Sequence, residues 1–401
     1  MTASNACPAC GAQGRELLID LGAVPRSGVY LSSPTSSVFV RPLSFDFCVS
    51  CGMVRQRAAR DLDVDYTDVS RRTERQLPDY AEEILIRLRN EPGIEQSLVI
   101  EVGANDGTFL TRIAAMGIKR RLGIEPSRAL GIMCTTAGHQ VEGIHLTEGE
   151  AARVRAMHGA ARAVICRHTL EHVPDPLGLV RAMRALLADD GILLVEVPAS
   201  STILGELKAF ELWDEHLTYF AEANLAALLS TGGFAVEEIG NRPHLATRNI
   251  VCWARPRRSG AMEQPAAFAA ESTIALCRSF GTRWRAFRDR MGDAAQSWRT
   301  PVIAVGASHP QSNFLLFSGL GADVSSLVDD DAGKAGNFVA LPQPTPVITT
   351  EQLISERRVG TLLLTGFGYT SWTSKIRRGL DDAPVHFVDV LDELAREQIA
   401  R

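Results

Sequence analysis

The stretch Ser97-Leu-Val-Ile-Glu-Val-Gly-Ala-Asn-Asp-Gly107 runs from a short apolar segment into a polar loop with two glycines. Residues 97–102 predict a buried strand, and residues 109–116 beyond the loop predict a helix. Glycines let a backbone approach a ligand closely, but their spacing here does not match the G-x-G-x-x-G of dinucleotide-binding enzymes. The stretch therefore predicts a strand–loop–helix unit whose loop, residues 103–107, contacts a ligand of another kind.

Short apolar strands separated by helical patterns continue beyond this unit and predict parallel βαβ units. Upstream, a helix is expected over 78–89. Downstream, the sequence predicts strands over 121–125, 163–166 and 191–197, a helix over 176–188, and a closing β-hairpin formed by 235–239 and 250–254. A helical stretch over 265–291 leads to a second alternation, with strands over 302–305, 324–328, 361–365 and 385–389. The predicted fold class is α/β, with two doubly wound, Rossmann-like sheets.

The composition predicts a globular, soluble protein of two or three domains. The 401 residues are 45% hydrophobic and 22% charged, with a net charge of −5, and this length exceeds one ordinary core. The acidic balance gives no electrostatic case for binding nucleic acid or an anionic membrane. No apolar run approaches the roughly 20 residues that cross a bilayer, and the first residues lack a secretory signal. We therefore expect a cytoplasmic protein.

Four cysteines form two C-x-x-C pairs, Cys7/Cys10 and Cys48/Cys51, each followed by a glycine. Four thiolates on two tight turns complete a tetrahedral Zn²⁺ shell, so they predict a structural zinc site with no position open for catalysis. Unrelated thiols would require two matched pairs by chance, and a redox C-x-x-C would have to open a helix in a βαβ unit. The remaining cysteines are expected to be small hydrophobic residues, namely Cys134, Cys166, Cys252 and Cys277.

The acidic residue near the end of the first strand and the loop after it, Glu101-x-Gly-x-Asn-Asp-Gly107, resemble the first motif of class I methyltransferases. Glu125 ends the second strand, where a carboxylate can accept hydrogen bonds from both ribose hydroxyls of S-adenosylmethionine (SAM). The resemblance implies a class I, SAM-dependent methyltransferase fold. The implied cofactor-binding residues are Glu101, Gly103, Asn105, Asp106, Gly107, Glu125, Pro126, Arg167 and His168.

A cluster of ionisable residues occurs in Glu211-Leu-Trp-Asp-Glu-His-Leu-Thr-Tyr-Phe220, downstream of the fourth predicted strand. Such charges among aromatic residues would be costly in a pure core, because buried charges need partners. The segment Thr169-Leu-Glu-His172 follows the third strand at its carboxyl end, where open α/β sheets place ligands. We therefore predict that the two segments contribute to the reaction site.

The chain as a whole resembles the sugar C-methyltransferases of antibiotic deoxysugar biosynthesis. The resemblance rests on the paired cysteines, the 101–107 loop, the Glu171-His172 pair, the Asp214-Glu215-His216 motif, and the carboxy-terminal GA-S and LP-PV segments. It implies a small zinc-binding domain over 1–70, a methyltransferase domain over 71–257, and an α/β domain over 258–401 that binds a nucleotide sugar.

The same resemblance implies roles for the catalytic residues. His216 would remove a proton from the carbon next to a ketone, Glu215 would orient or polarise it, and His172 would be the second active-site histidine. Tyr66 matches an amino-proximal tyrosine of the family. Trp213 departs from the family, which has a tyrosine there. Either Tyr219 or water replaces that hydroxyl, or the acceptor and the chemistry differ.

The sequence therefore predicts C-methylation of the carbon beside the ketone of a nucleotide-linked 4-keto-deoxysugar, with a histidine as general base. The alternatives are an O-, N- or C-methyltransferase of a non-sugar intermediate, and a non-catalytic binding protein with this fold. A phosphate is expected at the helix amino terminus after Gly306, and Asp329-Asp-Asp331 is interpreted first as a solvated turn and second as a substrate contact. The partner is a small molecule, and the chain is expected to be a monomer or a weak oligomer.

Overall fold

The computed structural model describes residues 6–57, 77–244, 247–257, 270–365, 369–380, 383, 385–390 and 392–394. Three β-sheets organise this part of the chain, one of four strands and two of seven. Among the described helices, none combines the length and the apolarity that crossing a bilayer requires.

The amino-terminal segment is built from antiparallel strands. Its elements are β1 (Arg15–Pro25), β2 (Tyr30–Leu31), β3 (Val40–Cys48) and β4 (Val54–Gln56). Strands β1 and β3 pair along almost their whole length, from Arg15 opposite Cys48 to Pro25 opposite Val40. Two irregularities in the register of β1 break the alternation of buried and exposed residues that an ordinary strand would have.

The central segment alternates helices and strands, as the sequence predicted. Its elements are α1 (Ala81–Arg89), β5 (Val99–Val102), α2 (Thr108–Ala115), β6 (Arg121–Ile124), α3 (Arg128–Thr136), β7 (Gln140–Glu142), α4 (Glu148–His158), β8 (Ala161–Arg167), α5 (Pro176–Leu186), β9 (Leu187–Pro198), α6 (Ser200–Gly205), β10 (Thr218–Tyr219), α7 (Glu222–Thr231), β11 (Phe234–His244) and β12 (Thr247–Pro256).

The strand order of the central sheet is β11-β12-β9-β8-β5-β6-β7. Strands β5 to β9 are parallel, and β11 and β12 form the predicted antiparallel hairpin at one edge. The class I methyltransferase fold is therefore confirmed. The chain adds β6 and β7 on one side of β5 and then β8 on the other, so the topological switch point lies between β5 and β8. Ligands of such sheets bind at this point, outside the carboxyl ends of the strands.

The strands of this sheet are apolar on both faces because helices cover both. On one face Val99, Ile165 and Leu194 pack with residues of α1 and α2. On the other face Ile100 and Val164 pack with residues of α4, α5 and α7. Continuous apolar runs of this kind are typical of parallel sheets, which are buried on both sides.

The carboxy-terminal segment contains the second predicted alternation. Its elements are α8 (Glu271–Ala295), β13 (Val302–Val305), α9 (His309–Ser318), β14 (Val324–Val328), β15 (Phe338–Ala340), β16 (Pro344–Ile348), α10 (Thr350–Ser355), β17 (Thr361–Leu364), α11 (Tyr369–Gly379) and β18 (His386–Asp389). The sheet order is β18-β17-β13-β14-β16-β15-β2, and β13 pairs in parallel with β14 and β17 on its two sides.

Two strands each pair with a sheet that is formed mainly by another segment of the chain. Strand β10, from the central segment, pairs with β4 and completes the four-stranded amino-terminal sheet. Strand β2, from the amino-terminal segment, pairs with β15 and completes the carboxy-terminal sheet. The division at residues 70 and 257 remains a prediction, because residues 58–76 and 258–269 lie outside the described part of the chain.

Candidate active site

The loop between β5 and α2 has a backbone conformation that glycine and asparagine tolerate best. Gly103 has φ of +75° and Asn105 has φ of +52°, both in the left-handed region. A Cβ atom on Gly103 would lie only 2.0 Å from Thr169 Oγ1, so no larger residue fits there. The loop that the sequence predicted to bind the cofactor thus lies directly against the loop that follows β8.

Asp106 and Gly107 turn the chain from this loop into α2. Asp106 Oδ1 accepts hydrogen bonds from the backbone N–H and the hydroxyl of Thr108, at 3.1 and 2.7 Å. Gly107 has φ of +83°, and a Cβ atom there would lie 2.8 Å from Cys134 Sγ and from His139 Cδ2. Both conformation and space therefore favour glycine at this position.

Glu125, directly after β6, holds the 103–107 loop in place through hydrogen bonds. Its carboxylate accepts hydrogen bonds from the backbone N–H groups of Asn105 and Ser127, each at 2.8 Å. Burial raises the pKa of Glu125, and the two backbone N–H groups oppose the rise. Each carboxylate oxygen has a second acceptor direction, so this side chain can still bind ribose hydroxyls. Pro126, between Glu125 and Ser127 in the sequence, is partly buried.

Glu101, the acidic residue of the motif, is buried in β5. Its Oε2 atom has no hydrogen-bond partner in the described part of the chain. Burial raises the pKa of Glu101 to about 8, although Arg167 opposes the rise. A buried carboxylate with spare acceptor capacity beside a glycine loop fits a ligand with a cationic amino group, and SAM has such a group.

Arg167, at the carboxyl end of β8, is directed into a buried polar network. Its Nε atom pairs with Glu196 in β9, and its guanidinium lies over the Phe109 ring, 4.2 Å from the centroid. The Tyr80 hydroxyl and the Asn249 side-chain amide also donate to the Glu196 carboxylate. These partners offset the cost of burying both charges, so Arg167 ties β8 to β9 and α2.

His168 follows directly and has φ of +46°. Its Nε2 atom lies 3.2 Å from Glu196 Oε1, and its Nδ1 atom lies 3.6 Å from Glu171 Oε1. Desolvation lowers the pKa of His168, whose side chain is 38% exposed, but the two carboxylates outweigh this effect and raise the pKa to about 9. His168 is therefore cationic at neutral pH and is not available as a general base there.

The two segments predicted to form the reaction site are joined by hydrogen bonds. The backbone N–H of Leu217 donates to the Glu171 carbonyl at 2.8 Å, and His172 Nδ1 donates to the Glu215 carbonyl at 3.0 Å. Residues 170–172 form a 3₁₀ turn at the end of β8, beside the switch point of the sheet. The Glu-His pair and the Asp-Glu-His motif therefore lie in one cluster.

His216 lies among three aromatic rings of this cluster. Its ring centroid is 4.7 Å from His172, 4.9 Å from Trp213 and 5.5 Å from Tyr219. Its Nδ1 atom is buried and has no hydrogen-bond partner among the described residues. Burial holds the pKa of His216 well below 6.5, and neighbouring imidazoles add to the shift. A neutral imidazole at neutral pH has the protonation state that a general base requires.

The carboxylates of the Asp-Glu-His motif are paired with arginines of the amino-terminal segment. Asp214 is fully buried, pairs with Arg41, and accepts a hydrogen bond from the backbone N–H of Ser27 at 3.3 Å. Glu215 Oε1 lies 3.3 Å from Arg26 Nη2. The amino-terminal segment thus supplies the positive charge that allows both carboxylates to be buried. Tyr66, the tyrosine predicted from the same segment, lies outside the described residues.

Trp213 and Tyr219 shape the other side of the cluster. Trp213 stacks on His309 of α9, with ring centroids 4.4 Å apart and an angle of 22° between the planes. The Tyr219 hydroxyl accepts from the backbone N–H of Trp213 at 2.8 Å and donates to the Glu211 carbonyl at 3.1 Å. Tyr219 therefore fixes the loop before His216. Its hydroxyl is already hydrogen-bonded to main-chain groups.

The four predicted zinc ligands lie together. All four Sγ atoms are within 4.8 Å of one another, and Cys7–Cys51 and Cys10–Cys48 are each 3.6 Å apart. Zn–S bonds of about 2.3 Å in a tetrahedron separate the sulfurs by about 3.8 Å, so these distances fit the ion. In each pair the glycine after the second cysteine donates its N–H to the carbonyl of the first, with φ near +70°.

The loop after β13 is held by a buried acid. Asp329 Oδ2 accepts from the backbone N–H of Ala307 at 3.1 Å and pairs with Lys334 Nζ at 2.9 Å. The Tyr30 hydroxyl donates to the Ala307 carbonyl. The solvated-turn interpretation is therefore wrong for Asp329, whereas Asp330 and Asp331 are exposed. Phosphate binding at the start of α9 remains a prediction.

Three residues of this region were not assigned from the sequence. Glu196 did carry a signal, because a charge within an apolar strand needs a buried partner. Glu171 is 1% exposed, and one of its oxygens lies within 4.8 Å of a ring nitrogen of both His172 and His216. His309 carried no such signal, since it reaches the cluster from a different sheet.

Comparisons with known proteins agree with this geometry. Residues 72–239 match a family model described as a methyltransferase domain. The central segment is therefore similar to methyltransferase domains. The C-methyltransferase NovU of Streptomyces niveus is 29% identical to this chain over 169 residues, which are 42% of this chain and 40% of that protein. The ubiquinone biosynthesis O-methyltransferase of Haemophilus ducreyi is 31% identical over 134 residues, which are 30% of this chain and 51% of that protein.

Solved methyltransferases also show a partial likeness to the chain. The magnesium protoporphyrin IX methyltransferase of Synechocystis PCC 6803, solved with bound SAM, has 15% identity and a TM-score of 0.34, and the match covers 44% of this chain and 78% of that one. The CcbJ methyltransferase of Streptomyces caelestis has 14% identity and a TM-score of 0.37, with coverage of 48% and 98%. Each overlap covers less than half of the chain.

Proposed function

We propose that the chain is a SAM-dependent C-methyltransferase acting on the carbon beside the ketone of a nucleotide-linked 4-keto-deoxysugar. The observation that carries the proposal is the buried, unpartnered Nδ1 atom of His216, whose ring lies beside His172 in a cluster that contacts the 103–107 loop through Thr169. Similarity to the C-methyltransferase NovU supports methyl transfer to carbon. The resemblance to the deoxysugar C-methyltransferases supports the sugar acceptor.

The cofactor would be held by the 103–107 loop together with Glu101 and Glu125. SAM supplies an electrophilic methyl group when bound. The absence of a side chain at Gly103 lets the loop pack directly against Thr169, which fixes the loop at the carboxyl end of β5. Glu101, near the end of the strand that leads into this loop, offers an unpartnered buried oxygen. These residues bind and orient, while the proton chemistry belongs to the histidine cluster.

His216 would act as the general base. It takes the proton from the carbon next to the ketone, and the electron pair of the broken C–H bond moves into the enolate, whose charge lies largely on oxygen. The carbon is then nucleophilic. Base assistance of this kind contributes about 10²–10⁴-fold to a rate. The low pKa of His216 keeps the imidazole unprotonated before each turnover.

The nucleotide would bind near the loop after β13. Gly306 has φ of +96°, and the helix α9 begins three residues later, so backbone N–H groups there can receive a phosphate. His309 in this helix stacks on Trp213, which connects the two parts of the site. The four cysteines would hold a structural zinc ion, and thiolate ligands fit a reducing, cytoplasmic location.

Methyl transfer to oxygen or nitrogen of a non-sugar acceptor is the second candidate. It is favoured by Trp213, which cannot provide the phenolic hydroxyl that the family has at this position. Locating the new methyl group by NMR of the purified product separates the two candidates. A methyl group on oxygen or nitrogen would overturn the C-methyltransferase proposal.

The decisive experiment measures hydrogen exchange and methylation together. Wild-type protein with a 4-keto-deoxysugar nucleotide in deuterated water should incorporate deuterium at the acidic carbon, and SAM should then yield C-methylated product. His216→Ala should lose both activities while retaining SAM binding. His386→Ala is the matched control, because His386 is an exposed histidine in β18. Unchanged turnover in His216→Ala would defeat the assignment.

A further inference from the structure

We infer that Glu171 is a positioning residue, whose buried carboxylate stabilises the imidazolium that forms on His216 when the base accepts a proton. This inference rests on the proposed function. The resemblance to the deoxysugar C-methyltransferases rests partly on the Glu171-His172 pair but gives Glu171 no role of its own.

The first observation is the burial of a carboxylate without hydrogen bonds. Glu171 is 1% exposed, and neither of its oxygens has a hydrogen-bond partner in the described part of the chain. A buried, ionised carboxylate is costly unless a cation or a donor compensates it. The groups near Glu171 that can become cationic are imidazoles: His168 Nδ1 lies 3.6 Å from Oε1, and ring nitrogens of His172 and His216 lie within 4.8 Å.

The second observation is that other carboxylates around the cluster already have cationic partners. Asp214 pairs with Arg41, Glu215 with Arg26, and Glu196 with Arg167. Glu171 has no arginine or lysine within ion-pair distance among the described residues. Its cationic neighbour is His168, and its negative charge also faces His172 and His216.

The third observation is that the backbone fixes Glu171 in this place. The Glu171 carbonyl accepts a hydrogen bond from the backbone N–H of Leu217, the residue after His216. His172 donates a hydrogen bond to the carbonyl of Glu215, the residue before His216. The carboxylate and the base thus belong to two segments that cannot separate without breaking both hydrogen bonds. A buried base on such a frame needs its counter-charge in position before the proton arrives.

The negative charge of Glu171 should affect the pH at which His216 becomes protonated. Groups around His216 that carry or acquire charge include those of Glu171, His168, His172, Tyr219 and His309. The neighbouring carboxylates of the motif, Asp214 and Glu215, are paired with arginines. An oxygen of Glu171 lies within 4.8 Å of an imidazole nitrogen of His216. Its removal should therefore make His216 harder to protonate and a weaker base.

The test compares Glu171→Gln, Glu171→Asp and the matched control Glu91→Gln, a remote buried carboxylate paired with Arg255. Glu171→Gln should lower kcat about 100-fold and slow deuterium exchange equally, with KM for SAM and the acceptor within twofold. The acidic limb of its pH profile should move to lower pH. Glu171→Asp should recover part of the rate, and Glu91→Gln should retain wild-type kcat.

Three results would overturn the inference. The first is a Glu171→Gln variant with an unmoved acidic limb. The second is a loss of rate explained entirely by lost SAM binding or a lowered melting temperature. The third is a second bound metal equivalent that disappears in the variant, which would make Glu171 a metal ligand with His172 and His216. A wild-type protein without C-methylation or exchange would instead defeat the proposed function itself.

Discussion

The indole of Trp213 stacks on the imidazole of His309, with centroids 4.4 Å apart and the planes inclined by 22°. Trp213 belongs to the segment that carries the proposed base, whereas His309 opens the first helix after β13. The stack therefore joins the reaction site to the segment proposed to hold the nucleotide. Aromatic pairs contribute about 0.5–1.5 kcal/mol beyond the area that they bury.

Removing this stack should weaken acceptor binding. In His309→Ala the KM for the nucleotide sugar should rise about 2- to 10-fold, because the lost pair no longer fixes the loop before His216. His309→Phe preserves an aromatic ring and should remain near the wild-type KM. Steady-state kinetics at saturating SAM measure both. Equal KM values in the Ala and Phe variants would contradict the role of the stack.

The pH profile should report the low pKa of His216. The pKa is held well below 6.5 by burial, so the base stays neutral as pH falls past 6.5. Activity should be constant from about pH 8 to 6.5 and decline only well below 6.5. If the acidic limb of the pH profile of kcat/KM for the acceptor had its midpoint at or above pH 6.5, this prediction would be contradicted. His216 also favours the folded state above the ordinary histidine pKa, and this contribution is lost as pH falls.

His168 should have the opposite effect on stability. Its pKa is raised to about 9 in the folded protein, so its contribution is fully present below pH 6.5 and is lost as pH rises through about 9. Urea unfolding at several pH values should show the free energy of unfolding decreasing over this window. Glu196→Gln removes one carboxylate responsible for the shift and should flatten the decrease. An unchanged slope would contradict the pairing.

Gly103→Ala should weaken cofactor binding. The added Cβ would lie 2.0 Å from Thr169 Oγ1, so the loop must move. Gly117→Ala is the matched control, because Gly117 has a similar φ of +87° with nothing within 4 Å of the added atom. Calorimetry should show SAM affinity reduced at least about tenfold in the first variant and retained in the second. Both should lose about 1 kcal/mol of stability from backbone strain.

Removal of the metal should destabilise the protein and slow catalysis. Purified protein should contain one zinc per chain, and Cys48→Ser should lose it, because a tetrahedral site needs all four ligands. The melting temperature and kcat should fall together, since β4 pairs with β10 only two residues after the base. Cys252→Ser, in β12, should retain its zinc. Full activity of a zinc-free protein would contradict the coupling.

The central sheet was predictable because its strands are continuous apolar runs that alternate with helices. Residues 97–102 and 191–197 correspond to β5 and β9, and the predicted hairpin corresponds to β11 and β12. The helix α4 was not predicted, because only Ala151 and Val154 of its 11 residues are buried. Strand β1 was missed as well, since its irregular register destroys the alternation on which strand prediction depends.

The sequence predicted the site residues that belong to short motifs. It did not predict partners that are far apart in the sequence. The glycine loop, the paired cysteines and the Asp-Glu-His motif are local patterns with a stated physical purpose. The partners Arg26 and Arg41, about 170 to 190 residues from the motif, carry no local signal. The same holds for His309, which contacts Trp213 only because two sheets come together.

The exchange of strands β2 and β10 has a consequence for folding. Each of the two outer sheets is completed by residues that come from another part of the chain. Expressing the amino-terminal or the carboxy-terminal part alone would leave its sheet with an open, hydrogen-bonding edge, which favours aggregation. The protein should therefore melt as one cooperative unit, and a fragment that lacks residues 30–31 or 218–219 should be harder to obtain than the intact chain.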